Sequence, residues 1–200
     1  MIERLTHPTP GELDALTALW EASVRATHDF LAPEDIPFFR RTVRRDALPG
    51  VKLYVIREND NATGESGGFG GFGGFGGFGG FGGFTAFAGV AGDMLEMLFV
   101  APAMRGKGLG RQLVEHAVRH SGVRRVDVNE QNPQAAGFYE RLGFRTTGRD
   151  AADPSGKPYP ILHMELGRAP HTGLVPIPDL QIDRIDIDFQ QEVSDAEKDA

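Results

Sequence analysis

The segment from Leu98 to Gly110 has the sequence LFVAPAMRGKGLG, and three of its features limit the fold. An apolar run precedes a loop with three alternating glycines, and an amphipathic segment follows the loop. Glycines let the backbone approach a ligand closely, and the first turn of a helix has free N–H groups and a positive dipole end. Arg105, Lys107 and Arg111 add positive charge. The segment therefore predicts a strand, an anion-binding loop and a helix, with a pyrophosphate as the ligand.

Two common phosphate-binding patterns do not fit this loop. A P-loop requires Ser or Thr directly after its lysine, but Gly108 follows Lys107. The dinucleotide-binding pattern requires its third glycine one position after Gly110. The loop is therefore predicted to serve a different phosphate-containing ligand.

Strand and helix patterns alternate on both sides of the loop. Thr9 and Glu12 are spaced as a capping box at the start of a helix, and Asn132 precedes Pro133 as the cap of another. The predicted strands are 2–5, 51–56, 85–90, 94–100, 123–128, 144–147 and 159–166; the predicted helices are 10–26, 33–47, 108–120 and 133–142. This order predicts a mixed α/β layer and not a doubly wound Rossmann domain.

Two segments differ in composition from the rest of the 200 residues. Residues 67–84 are six successive Gly-Gly-Phe triplets, which suit neither a strand nor an α-helix and predict a loop. Residues 167–200 contain eight acidic and three basic residues, which is typical of a flexible acidic extension. We therefore predict one domain over 1–166, interrupted once by the repeat and extended once by 167–200.

The overall composition excludes several classes of protein. Cysteine is absent, so no disulfide or thiolate nucleophile is possible, and a cytoplasmic location is expected. A formal charge of −7 argues against binding to nucleic acid or to an anionic membrane. His116 and His120 are spaced as ligands on a helix, but no third ligand is evident, so we expect no metal centre.

The pattern Arg105-x-x-Gly108-x-Gly110 after an apolar strand resembles the acetyl-CoA motif of the GNAT superfamily of N-acetyltransferases. The segment from Asn132 to Phe144 resembles the next helix and strand of that family, and the wider chain is similar to small bacterial members. The resemblance implies a GNAT fold, in which a mixed, mostly antiparallel sheet is flanked by about four helices and the central strands splay apart. It covers residues 1–166 apart from the repeat.

The resemblance also implies that acetyl-CoA is the cosubstrate. The backbone of the strand would pair with the pantetheine arm, the amides of the glycine loop would hold the pyrophosphate, and Asn132 and Phe138 would contact the pantetheine. The implied cofactor-binding residues are Leu98, Phe99, Val100, Arg105, Gly106, Lys107, Gly108, Leu109, Gly110, Arg111, Asn132 and Phe138. Backbone N–H groups near Phe99 and Val100 would stabilise the oxyanion that forms when an amine attacks the thioester.

Three residues are candidates for proton transfer. The resemblance implies that Tyr139 protonates the leaving thiolate as a general acid, since its ordinary pKa of about 10 is close to that of a thiol. Glu96 and Asp127 are alternative general bases for the amine. Two-residue alternation would place Glu96 on the same strand face as Leu98. His28 is a candidate for the acceptor pocket.

The identity of the acceptor stays open at this level. A primary amine on a small molecule, a peptide N-terminus or a lysine would each suit the chemistry, in a monomer or a homodimer. The alternative is a non-catalytic acyl-CoA-binding or interaction module that uses the repeat and the acidic extension. In either case the insertion is expected to leave the sheet near the pyrophosphate loop.

Overall fold

The computed structural model describes residues 1–58 and 81–167. Seven strands form one sheet in the order β1-β2-β3-β4-β5-β7-β6. The strands are β1 (Ile2–Leu5), β2 (Lys52–Arg57), β3 (Phe84–Ala91), β4 (Met94–Val100), β5 (Arg125–Asn129), β6 (Phe144–Asp150) and β7 (Ile161–Leu166). The helices are α1 (Pro10–Arg25), α2 (Ile36–Thr42), α3 (Leu48–Gly50), α4 (Leu109–Ser121) and α5 (Pro133–Arg141). A π-helical turn, Val43–Ala47, joins α2 to α3 without a break, so four helical segments flank the sheet within the described ranges.

The sheet is antiparallel except where β4 meets β5. These two strands run parallel, and they pair only at Met94 with Arg125 and at Leu95 with Val126. β4 continues to Val100 and β5 to Asn129, so the strands separate over the rest of their length. The predicted mixed sheet with splayed central strands is therefore confirmed.

Both faces of the central strands are covered. α4 and α5 bury one face through residues such as Leu113, Val114 and Tyr139, and we call this the α4 face. α1 buries the other through residues such as Leu16 and Trp20, and we call this the α1 face. Because both faces are buried, all of β3 except its last residue is buried, which explains its continuous apolar sequence.

β2 ends and β3 begins at the same end of the sheet, on the two sides of the predicted repeat loop. The N–H of Glu58 donates to the carbonyl of Gly83 (2.8 Å), so the residue that follows β2 and the residue that precedes β3 are in contact. Phe84, the last residue of the predicted repeat loop, begins β3 and is 1% exposed. Ala86 lies opposite Val100, so β4 also ends, and the glycine loop begins, at this end of the sheet. The rest of the predicted loop, up to residue 80, and the acidic extension from residue 168 lie outside the described residues.

Several predicted element boundaries are wrong by two or three residues. β6 continues to Asp150 rather than ending at residue 147, and β5 begins at Arg125 rather than at residue 123. Residues 32–35 form a turn, with the N–H of Asp35 donating to the carbonyl of Ala32 (2.9 Å), and α2 begins only at Ile36. Pro37 occupies its first turn, where a missing N–H costs nothing. The last strand begins at Ile161 rather than Tyr159, since the intervening Pro160 cannot donate to a ladder. In the part of the chain that the structure describes, no helix is long and apolar enough to cross a membrane.

Candidate active site

A cleft of about 600 Å³ opens where β4 and β5 separate. The free end of β4, the glycine loop, the first turn of α4 and the start of α5 line one part of it, which we call the cofactor wall (residues 94–141). The end of α1 and the connection after it also contribute, through Ser23, Thr27 and His28. Tyr139, Glu96 and Asp127 all line this cleft, so the structure brings the three predicted catalytic residues together.

The backbone of β4 offers hydrogen bonds to the cleft. The N–H of Ala101 donates to the carbonyl of Thr85 (2.8 Å). Since hydrogen-bonded pairs alternate along an antiparallel ladder, the backbone of Phe99 points towards β3 and that of Leu98 and Val100 points away from it. The structure therefore leaves Leu98 and Val100 available on the cleft side. Phe99 contributes its side chain, which also packs edge-on against Trp20 with ring centroids 6.4 Å apart.

A bulge in β4 changes the expected position of Glu96. Gly89 lies opposite Met97 and Val90 lies opposite Leu95, so Glu96 has no partner on β3. Leu95 is buried on the α4 face, the face on which Leu98 also packs. Simple alternation therefore does not hold at Glu96, whose side chain is exposed and lines the cleft.

The glycine loop presents unpaired amides. Gly106 (φ +73°) and Gly108 (φ +79°) adopt left-handed backbone conformations, which other residues adopt at a cost. Gly108 is the cap of α4 and provides no side-chain hydrogen bond, and the first helical bond runs from the N–H of Gln112 to the carbonyl of Gly108 (3.0 Å). The N–H groups of Leu109, Gly110 and Arg111 therefore lack intrahelical partners at the cleft, as an anion site requires.

The three basic residues near this loop have different partners. The guanidinium of Arg105 donates to the carbonyl of Ser23 (3.0 Å) and to the hydroxyl of Thr27 (3.3 Å), so it joins the loop to the end of α1. Burial lowers the pKa of Arg105. Arg111 is exposed and forms an ion pair with Glu115 (2.7 Å). Lys107 is also exposed, so two of the three cations remain at the surface near the amides.

The predicted site residues that follow in the chain lie at the start of α5 and along it. Asn132 caps the helix, since its side-chain oxygen accepts from the N–H of Ala135 (3.0 Å). Phe138 and Tyr139 both follow about two turns later and pack edge-on, with ring centroids 5.0 Å apart. Tyr139 is only 7% exposed, and burial raises its pKa well above the ordinary value. Its hydroxyl makes no hydrogen bond to any other described residue, so it is a protonated donor without a protein acceptor.

Asp127 has a partner that the sequence did not suggest. Its Oδ1 lies 2.8 Å from Nδ1 of His163, and Nε2 of the same ring lies 3.1 Å from Oδ2 of Asp150. Hydrogen bonds to these two carboxylates raise the pKa of His163, with that to Asp127 having the larger effect. Strand pairing, invisible in a local pattern, brings these residues together.

Two loops on the α1 side of the cleft hold each other in place. We call residues 26–35 and 151–160 the loop wall. The hydroxyl of Tyr159 donates to Asp35 (2.6 Å) and accepts from the N–H of Ala32 (3.1 Å), while Lys157 forms an ion pair with Asp35 (2.7 Å). The bond from Lys157 and then that from Tyr159 lower the pKa of Asp35.

His28 and Thr27 are the residues of the loop wall that line the cleft. The ring of His28 contacts the hydroxyl of Thr27 (2.9 Å) and packs near Phe30, with centroids 5.2 Å apart. Burial, followed by the charge of Arg105, lowers its pKa. The side chain is therefore neutral at pH 7 and lines the cleft, and its role in an acceptor pocket stays a prediction.

Comparison with known proteins identifies the family. Residues 49–146 match the model described as "Acetyltransferase (GNAT) domain". The chain is 38% identical over 165 residues to the peptidyl-lysine N-acetyltransferase YjaB of Escherichia coli K12, covering 82% of this chain and 97% of that one. The chain belongs to the GNAT family.

Solved structures agree with this assignment. The solution structure of apo YjaB from E. coli matches with a TM-score of 0.65 at 36% identity, over 84% of this chain and 98% of that chain. The PaiA N-acetyltransferase of Thermoplasma acidophilum, solved with coenzyme A, has a TM-score of 0.54 at 16% identity, over 84% of this chain and 99% of that one, and shows the fold alone.

Family membership settles the reaction type. The protein is an N-acetyltransferase that uses acetyl-CoA and transfers the acetyl group to an amine. The residues present fit this cosubstrate, because left-handed glycines, unpaired amides and the unpaired edge of β4 line one continuous cleft. The relatives do not support the alternative of a non-catalytic binding or interaction module.

Proposed function

We propose that this GNAT protein acetylates the side-chain amine of lysine residues in peptides or proteins. The observation that supports the acceptor class is the similarity, along almost the whole length of the relative, to an enzyme named for peptidyl-lysine acetylation. The reaction takes place in the cytoplasm, as expected for a chain without cysteine. The proposal applies to a monomer or to a homodimer.

On the cofactor wall, the backbone of the chain binds acetyl-CoA, and the hydroxyl of Tyr139 donates to the sulfur of the leaving group. The amides of residues 109–111 hold the pyrophosphate, and the unpaired groups of Leu98 and Val100 align the pantetheine arm. Acetyl transfer leaves a thiolate, which needs a proton or a hydrogen bond. Tyr139 supplies it, since burial keeps its hydroxyl protonated and no other described residue accepts from it. A pKa above that of a thiol makes Tyr139 a hydrogen-bond donor to the sulfur first and a proton donor only as negative charge develops there.

A carboxylate in the cleft receives the acceptor amine. A lysine side chain is mostly an ammonium at pH 7, because its pKa is about 10.4. An ionised carboxylate at the cleft attracts the ammonium and accepts one proton from it, directly or through water, so that the neutral amine can attack the thioester. The nitrogen loses a second proton to solvent as the amide forms, which balances the proton that Tyr139 gives to the thiolate and regains from solvent. Asp127 and Glu96 both line the cleft. We assign the role to Asp127 because His163 holds it in place, whereas Glu96 forms no ion pair or hydrogen bond to any other described residue.

Peptides that differ only at their amines test the acceptor class. One peptide has an acetylated N-terminus and a single lysine, a second has a free N-terminus and norleucine in place of that lysine, and spermidine represents small amines. With purified protein and acetyl-CoA, we expect thiol release and a mass gain on the lysine of the first peptide only. Acetylation confined to the N-terminus or to spermidine would contradict the assignment of lysine.

A further inference from the structure

Asp127, His163 and Asp150 form a row across three neighbouring strands. Asp127 of β5 lies directly opposite His163 of β7. On the other side of β7, His163 lies opposite Gly148 of β6, and Asp150 follows two residues later on the same strand. The row extends from the cleft, which Asp127 lines, to Asp150, whose side chain is 68% exposed.

Gly148 gives the imidazole the space that it occupies. A Cβ on this residue would lie 3.3 Å from Cδ2 of His163, which is closer than side-chain carbons usually pack. The ring therefore lies against the backbone of β6, and from there it reaches a carboxylate on each side. A register shift between Thr146 and Gly148 sets the pairing at this point.

The two carboxylates fix the protonation state of the ring. An ionised carboxylate only accepts hydrogen bonds, so both Nδ1 and Nε2 of His163 must donate, and the ring is an imidazolium. The raised pKa of His163 agrees with this geometry. Only Oδ1 of Asp127 is bonded to His163, and its second oxygen makes no hydrogen bond to any other described residue. That second oxygen is free to receive an amine.

We propose that His163 is a positioning residue for acetyl transfer, which holds the carboxylate of Asp127 at the cleft while Asp150 fixes the imidazole from the far side. This inference rests on the proposed role of Asp127 towards the acceptor amine. The side chains of this row are about half exposed. Exposed ion pairs contribute little to stability, so a contribution to folding does not explain why the three residues lie together. A carboxylate displaced by a fraction of an ångström would meet the amine less often in the reactive geometry.

Two substitutions distinguish the hydrogen bonds made by the two ring nitrogens of His163. In His163→Asn, the side-chain N–H₂ takes the place of Nδ1 and keeps the bond to Asp127. In His163→Gln, it takes the place of Nε2 and keeps only the bond to Asp150. Both substitutions remove the positive charge of the imidazolium, so they differ only in which of its two hydrogen bonds they keep. We expect kcat/KM for the lysine peptide to fall in both, about tenfold in the Gln variant and clearly less in the Asn variant, with KM for acetyl-CoA unchanged.

Repeating His163→Gln in an Asp127→Asn background tests whether His163 acts through Asp127. If it does, the second substitution causes no further loss of kcat/KM, since the carboxylate that it positions is already gone. Calorimetric titration with coenzyme A shows that each variant is folded, and His120→Gln, on the exposed surface of α4, controls for loss of a histidine.

Three results would overturn the inference: equal losses in the Asn and Gln variants, additive losses in the double variant, or full activity in Asp127→Asn. Each of these leaves lysine acetylation by the wild-type protein intact, so the proposed function survives. Failure of the wild-type protein to acetylate the lysine peptide is a separate result, and it overturns the proposed function instead.

Discussion

The cofactor wall and the loop wall of the cleft differ in how far apart their residues lie in the sequence. The cofactor wall comes from one continuous segment, residues 94–141, and its recognition groups are mainly backbone amides. The loop wall depends on contacts between distant residues, since Ala32 bonds to Tyr159 and Asp35 to Lys157. One wall is therefore encoded by a local pattern of glycines and caps, and the other by tertiary packing.

Because of this difference, a substitution is expected to have a different effect in each of the two walls. On the cofactor wall, apart from the carboxylates Glu96 and Asp127, a change acts on the thioester and on every acceptor alike. On the loop wall and at Asp127, a change acts on the acceptor and leaves the affinity for coenzyme A as it was. Measuring the two Michaelis constants separately therefore shows whether the walls are independent.

The largest effect is expected at Tyr139. Tyr139→Phe keeps the packing against Phe138 and Phe144 and removes only the hydroxyl, so kcat should fall roughly 100-fold while the dissociation constant of coenzyme A stays the same. Steady-state kinetics and calorimetry measure the two quantities. Tyr54→Phe is a matched control, because Tyr54 is equally buried but its hydroxyl bonds to Ser121 (2.7 Å), away from the cleft. A wild-type kcat in Tyr139→Phe would assign this residue to packing alone.

A smaller effect is expected at Gly108. With φ at +79°, an added Cβ costs about 1–2 kcal/mol unless the loop changes conformation, and either outcome disturbs the amides that follow. Gly108→Ala should therefore weaken coenzyme A binding by about tenfold or more in calorimetry.

Gly110→Ala is the comparison variant on the same wall. Its Cβ would meet Phe138 at 3.6 Å and Val100 at 3.8 Å, which are ordinary contacts, and its φ is not positive. We therefore expect Gly110→Ala to lose less affinity for coenzyme A than Gly108→Ala. Equal losses at both glycines would show that space near the ligand matters more than the left-handed backbone.

The same contrast explains what could be predicted from the sequence. The capping box at Thr9 and the cap at Asn132 are local, and both are present in the structure. The bulge at Glu96 could not be read from β4 alone, because it arises from the pairing with β3. The partner of Arg105 on α1 lies about 80 residues away in the sequence, and no pattern links them.

The same holds on the acceptor side of the site. The sequence indicates only that His163 and Tyr159 belong to a predicted strand. His163 became relevant through its register with Asp127, and Tyr159 lies before the strand and bonds to Asp35. Register and loop packing depend on the whole sheet, so single-sequence patterns do not contain them.

A moderate and selective effect is expected at Tyr159. Tyr159→Phe removes the donor to Asp35 and the acceptor for the N–H of Ala32, which loosens the loop wall near His28. KM for the lysine peptide should rise severalfold with KM for acetyl-CoA unchanged. Lys157→Met removes the other bond to Asp35 and should act in the same direction. A parallel rise in both Michaelis constants would show that the two walls are coupled.

The smallest effect is a pH dependence of stability that differs in sign between two histidines. The folded-state pKa of His163 lies above its ordinary value of 6.5, so its stabilising contribution is fully present below about pH 6.5 and is lost as pH rises through the folded pKa. The folded-state pKa of His28 lies below 6.5, so protonation destabilises the fold as pH falls through that range. His163→Gln should therefore lower the thermal midpoint at pH 5.5 more than at pH 9, and His28→Gln should make the acid loss of stability shallower. Scanning calorimetry at both pH values measures this, and the same pH response in the two variants would contradict the assignment of opposite charge states.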